Sequence, residues 1–190
     1  MAENHDRVKV GISVLVGFIL FGLFAYTVYF FWFQARHEIN EFIATDVNHL
    51  TQVLQRIDKQ CEIMSFDQEK SYINFLNVGC FEGSEVGPMN LAYPKKWEGP
   101  YLKDNPTLQG FYYYVLKTPR GYYVVPGDGV KLSNGKVLGK DVVISSATNI
   151  EELLKNEPGL WFNTTPLITK LTLKRAIKSQ MLRQKIAHMI

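Results

Sequence analysis

The sequence predicts an α+β protein: a long N-terminal helix whose first half spans a membrane, packed through its second half on a small antiparallel β-sheet, with a helical extension at the C-terminus. Three observations carry this expectation. No charged residue occurs from Val10 to Phe33. The apolar residues Ile43, Val47, Leu50, Leu54, Ile57 and Cys61 recur at spacings of four and three, the period of one helix face. Two aromatic and β-branched runs, Phe111 to Leu116 and Tyr122 to Val125, flank a turn-like Thr118-Pro119-Arg120-Gly121, as the strands of a hairpin do.

The uncharged run comes first in the chain. Its 24 residues, at 1.5 Å per residue, make about 36 Å of helix, enough to cross a hydrocarbon core of about 30 Å. A cleaved signal peptide has a shorter apolar run of about 7–15 residues followed by a small-residue cleavage site, which is not found here. Tyr26, Tyr29 and Trp32 gather at its C-terminal end, where amphipathic rings favour the bilayer interface. Arg7 and Lys9 precede the run, and Arg36 and His37 follow it. Charge is therefore nearly balanced across the span, and the short polar N-terminus favours a cytoplasmic N-terminus with the larger part exported. The 190 residues leave room for one domain of about 100–150 residues. The expected organisation is a short N-terminal segment (1–9), a transmembrane helix (10–33), a globular domain (34–145) and a helical, basic C-terminal extension (146–190).

Gln34 to Ile63 contains no Gly or Pro, so nothing local stops the helix at the membrane surface. The apolar seam in this part is too short for a free-standing coiled coil and is expected to dock on the protein's own sheet. Gly79 to Pro106, rich in Gly, Pro and Asn, reads as an ordered loop. Beyond the aromatic hairpin, Val130 to Leu138 is centred on Asn134-Gly135, the strongest short hairpin signal, and Val142 to Ile144 reads as another short strand. Thr148 or Asn149 can cap a helix over Ile150 to Lys155, ended by Pro158-Gly159. From Leu167 to Ile190 there are six basic residues, Lys170, Lys174, Arg175, Lys178, Arg183 and Lys185, and no acid. This tail is expected to be a separable basic helix that meets an acidic protein or lipid surface.

The chemistry expected is non-catalytic. The four histidines are scattered, and His37-Glu38-Ile39-Asn40-Glu41 puts Glu41 where a zinc-binding helix needs its second histidine. No nucleophile elbow or phosphate-cradling glycine loop is present, and no cofactor is expected. Asp128, Ser133, Asn134 and Asp141 offer oxygens for calcium, which takes roughly six to eight. Lys131, Lys136 and Lys140 oppose a cation among them, and ordinary hairpin-turn polarity is the competing reading. Cys61 and Cys80 both follow the anchor, so an oxidising compartment would let them pair; two free thiols are the alternative. Asn163-Thr164-Thr165 matches a short glycosylation pattern. Lys117 and Arg120 beside Tyr122 and Tyr123 read as strand-edge charge, and no nucleic-acid partner is expected.

At Trp97-Glu98-Gly99-Pro100-Tyr101-Leu102 the sequence resembles the W-x-G-P-Y-L stretch of major pseudopilins of type II secretion systems, members of the type IV pilin superfamily. Tyr112, Tyr113 and Tyr114 resemble that family's first hairpin strand and Gly121-Tyr122-Tyr123 its second. Gly127-Asp128-Gly129 is similar to the start of its calcium-binding loop. The resemblance covers roughly residues 34–144. It implies a long helix packed on a small sheet, a structural or assembly role in a protein secretion or pilus-type system, and a bacterial inner-membrane location with the domain outside the cytoplasm. It places Trp97, Gly99, Pro100, Tyr101 and Leu102 in the family motif and Asp128 at the start of the calcium-binding loop; Asn134 and Asp141 join Asp128 as candidate calcium ligands on their own oxygens. The implied partners are the bilayer and copies of itself or other pilin-like subunits. A membrane-anchored binding or scaffold domain that does not polymerise is the alternative.

Overall fold

The structure is a computed structural model that describes residues 2–80, 85–86 and 89–174. Two compact units share one helix, the first ending at Glu38 and the second beginning at Ile39. That helix, α1, runs from Ala2 to Cys61 without interruption. In the first unit the described side chains run from Leu15 to Phe31, all exposed. These 17 residues amount to about 25 Å of helix. Among the described residues no helix is long and apolar enough to cross a membrane.

In the second unit the predicted seam is the spine of the core. Ile43, Val47, Leu50, Leu54, Ile57 and Cys61 are each at most 1% exposed. The helix stops at Glu62, whose φ of 55° is left-handed, a common way to end a helix. The terminal carbonyls of Cys61 and Glu62 then accept the amides of Tyr93 and Ala92, both at 2.9 Å.

The strands follow in order: β1 (Ile63–Phe66), β2 (Lys70–Tyr72), β3 (Glu85–Val86), β4 (Met89–Leu91), β5 (Thr107–Leu108), β6 (Phe111–Tyr112), β7 (Tyr114–Thr118), β8 (Gly121–Val125), β9 (Trp161–Phe162), β10 (Thr165–Pro166) and β11 (Thr169–Leu171), with helix α2 (Ile150–Asn156) before β9. The main sheet is antiparallel with strand order β11-β8-β7-β2. A smaller antiparallel sheet has the order β1-β4-β3. The β7–β8 hairpin is the one expected, with Thr118 opposite Gly121 and Pro119-Arg120 between them.

Alternation along these strands sends successive side chains to opposite faces. On one face the Tyr113 hydroxyl donates to Asp46 of α1 at 2.7 Å, and on the other the Tyr123 hydroxyl donates to Glu151 of α2 at 3.2 Å. Both faces of the sheet are therefore covered: one by α1, the other by the segment that carries α2. Val124 and Val125, neighbours in β8 that point to opposite faces, are both 0% exposed.

The α+β class with antiparallel sheets stands, and several element boundaries change. The aromatic run splits at Tyr113: Phe111-Tyr112 forms β6 with β5, and the strand paired with β8 starts at Tyr114. Val130 to Ile144 holds single bridges, Lys131 to Val137 and Leu138 to Val142, in place of strands. Here side chains take the backbone amides: Asn40 accepts Ser133 N–H at 3.1 Å and Asp141 accepts Val137 N–H at 2.8 Å, which competes with ladder formation. The expected loop from Gly79 to Pro106 contains β3, β4 and a short 3-10 turn, Pro94–Lys96.

The largest correction concerns the C-terminal extension. Only α2 in its described part is α-helical beyond a single turn, and β11 joins the main sheet beside β8. Leu167, Ile168, Leu171 and Leu173 are at most 3% exposed, and β-branched Thr169 and Thr172 beside them favour extended backbone. The expected boundary at 145 and the separable helix from 167 are thus replaced by a core strand. Residues 175–190 of that tail lie outside the described residues.

Candidate functional site

The segment that carries the family resemblance fastens the end of α1 to the chain that follows it. The Trp97 indole donates to Val78 O at 2.9 Å and meets the Tyr101 ring edge-on, with centroids 4.7 Å apart. The Tyr101 hydroxyl donates to Gln60 Oε1 at 2.8 Å and accepts Glu98 N–H at 3.3 Å, and Gln60 donates in turn to Glu98. Arg56 lies over the Tyr101 ring at 5.8 Å. The amides of Tyr101 and Leu102 both reach Leu76 O, at 2.8 and 3.1 Å. Gly99 is required by close approach, because a Cβ there would collide with Val78 O and the Trp97 indole. The Gly99–Pro100 bond is cis. Burial raises the Tyr101 hydroxyl above its ordinary pKa, so it stays a donor.

Cys61 sits beneath this segment. Its thiol is pushed up chiefly by burial, against a hydrogen bond with Tyr101 that lowers it, which keeps it a weak nucleophile. The disulfide expected between Cys61 and Cys80 is absent. Both are free, Cys61 buried in the core and Cys80 exposed, whereas a bridge needs the two Cβ atoms about 3.5–4.5 Å apart.

The candidate calcium ligands hold loops together. Asp128 pairs with Lys70 Nζ at 2.5 Å and accepts the Tyr114 hydroxyl at 3.3 Å. Asn134 Oδ1 accepts Lys136 N–H at 3.0 Å, and Asp141 is the acceptor for Val137 N–H. Ser133 contributes its amide to Asn40. Lys70 thus supplies positive charge at Asp128 from within the chain. Among the described residues no group of three or more His, Cys, Asp or Glu is placed to hold a metal ion.

Three further polar residues organise the domain, and pattern reading passes over them because they lie on the apolar face of α1: Asn40, Thr51 and Asp58, at most 5% exposed. Asn40 donates to Gly159 O and Trp161 O, both at 3.2 Å, besides holding Ser133. Asp58 accepts Ile63 N–H and Lys174 N–H. Their seam spacing, 40-44-47-51-54-58-61, is the signal that could have found them. Each side chain in this constellation orients backbone or caps a helix, which is the chemistry of a rigid scaffold.

No protein-family model, no curated protein and no solved structure matches the chain.

Proposed function

We propose that this protein is a membrane-anchored, non-catalytic structural or assembly component with a pseudopilin-like domain, part of a protein secretion or pilus-type system. One observation carries the reading. A single unbroken helix has a charge-free stretch from Val10 to Phe33 and then a buried face, Ile43 to Cys61, laid against an antiparallel sheet. The first stretch has the length and composition of a bilayer anchor. The second, Ile43 to Cys61, is the spine of the domain's own core. The Trp97 to Leu102 segment, clamped on the end of this helix, supports the same reading. A bacterial inner membrane with the domain on its outer side is the corresponding location.

A second reading is favoured by one observation: no acidic residue occurs from Val10 to Phe33. Pilin-like subunits use a glutamate near the start of the mature helix to set register in the filament, and a chain without one fits a scaffold or binding domain that does not polymerise. Cysteine crosslinking separates the two. Gly17 has open space around it, so Gly17→Cys in a Cys80→Ser background reports on helix contact in the membrane while buried Cys61 stays silent. The assembly reading expects an oxidation-dependent disulfide dimer, the largest product that one reactive thiol per chain allows; monomer alone would favour the scaffold.

A further inference from the structure

The turn between β1 and β2, the end of β7 with its turn, and Ser146 enclose a groove of about 410 Å³ lined by Asp67, Glu69, Lys117, Thr118, Pro119 and Ser146. Both carboxylates are fixed by hydrogen bonds: Asp67 accepts the Asn90 side-chain amide at 2.6 Å, and Glu69 accepts Ser146 N–H at 2.6 Å and a further bond from the Ser146 side chain. Neither is in an ion pair among the described residues, whereas Asp128, Glu151 and Glu157 each have a lysine or arginine partner. Set against Lys117, the groove keeps a net charge of 1 − 2 = −1.

We propose that this groove is the docking site of the chain's own C-terminal segment, residues 175–190. Charge complementarity is the first argument, because the segment carries Arg175, Lys178, Arg183 and Lys185 and no acid. Its Ile177, Met181 and Leu182 supply apolar surface for the Thr118-Pro119 wall. Reach is the second. Asp58 holds both Ile63 N–H and Lys174 N–H, so the segment begins beside the start of β1. Asp67 follows the last residue of β1, about 13 Å further along at 3.3 Å per residue. Lys178, four residues beyond Lys174, can span about 13–14 Å of extended backbone before its side chain is counted, and Lys185 reaches further. Surface ion pairs of this kind are weak and screened by salt. The segment therefore docks reversibly and, while docked, is withheld from acidic surfaces elsewhere.

Zero-length carbodiimide crosslinking of the full-length chain in neutral detergent micelles tests this, with an equal mixture of ¹⁴N- and ¹⁵N-labelled protein to separate links within a chain from links between chains. The expected result is an amide from Lys178 or Lys185 to Asp67 or Glu69 within one chain, reduced about fivefold at 0.5 M salt. Asp67→Asn with Glu69→Gln removes the link while leaving both structural acceptor oxygens in place. Lys178→Arg with Lys185→Arg keeps the charge and also removes it, with the melting temperature as a check on folding in both variants. Links found between chains only, or no link to Asp67 or Glu69, would overturn the proposal. Lys178 and Lys185 joined solely to other carboxylates would do the same.

Discussion

The carboxylate of Asp58 accepts the backbone N–H of Lys174 at 2.6 Å through one oxygen and that of Ile63 at 2.9 Å through the other. The last turn of α1 thereby ties the start of β1 to the chain that leaves β11. Lys174 completes the clasp by donating its Nζ to Lys59 O at 2.7 Å, placing a cation at the negative end of the helix dipole. Leu167, Ile168, Leu171 and Leu173 on this stretch are consequently held in the core.

Truncation after Pro166 is expected to prevent folding of the domain. It removes β11 and four buried side chains, Leu167, Ile168, Leu171 and Leu173, worth roughly 1.5–3 kcal/mol each, a sum comparable to the whole stability of about 5–15 kcal/mol. Truncation after Lys174 spares all four, and the melting temperature is expected to move by no more than a few degrees. Thermal melts of both truncations check this; equal stability would place β11 outside the core.

Asn40→Ala is expected to cost about 2–4 kcal/mol, because it leaves the Ser133 amide and two carbonyls without their buried partner. Urea unfolding with an unchanged slope is the measurement. A loss below about 0.5 kcal/mol would mean that water replaces the side chain at no penalty.

Much of the architecture was legible because it rests on periodicity. The seam from Ile43 to Cys61 follows the helical repeat, and the β7–β8 hairpin follows from β-branched and aromatic residues around Pro119-Arg120. What escaped depends on long-range pairing. Leu167 to Leu173 reads as helical beside its basic neighbours, yet it becomes a strand because β8 offers a free edge and the sheet face needs cover. Lys70 and Asp128 are 58 residues apart, and no local pattern joins them. Asn40 and Asp58 were obscured by the apolar stripe they interrupt, and Cys61 and Cys80 fit a disulfide by their shared place after the anchor while the fold buries one and exposes the other.

Alkaline pH is expected to unfold the domain. Burial raises the hydroxyls of Tyr113 and Tyr114 far above their ordinary 10.0, helped by Asp46 and Asp128 respectively. In the unfolded chain these groups lose their protons near pH 10 while the folded form keeps them, so the folded state binds more protons and stability falls as pH rises beyond about 10. Stability from this source is fully present below that range. Urea midpoints at pH 8, 9.5 and 10.5 should drop mainly in the last step, and Tyr113→Phe should flatten the drop; a flat wild-type profile would contradict the assignment.

The melting temperature is expected to be the same in chelator and in millimolar calcium, because Lys70 already supplies the cation at Asp128. Lys70→Met should cost about 1 kcal/mol, the scale of a partly exposed ion pair. Stabilisation of the wild type by calcium of 5 °C or more, about 1 kcal/mol or above, would show that the loop takes a metal despite the lysine.

Two measurements on cells expressing the full chain test the central claim most directly: alkaline carbonate extraction of isolated membranes and, on separate intact spheroplasts at neutral pH, protease added from outside the cytoplasmic membrane. An integral anchor over residues 10–33 with an exported domain predicts that the chain stays in the carbonate pellet and that residues 39–174 are reached by protease from the outer side. Release of intact chain into the carbonate supernatant, or a domain protected until the cytoplasm is opened, would contradict it.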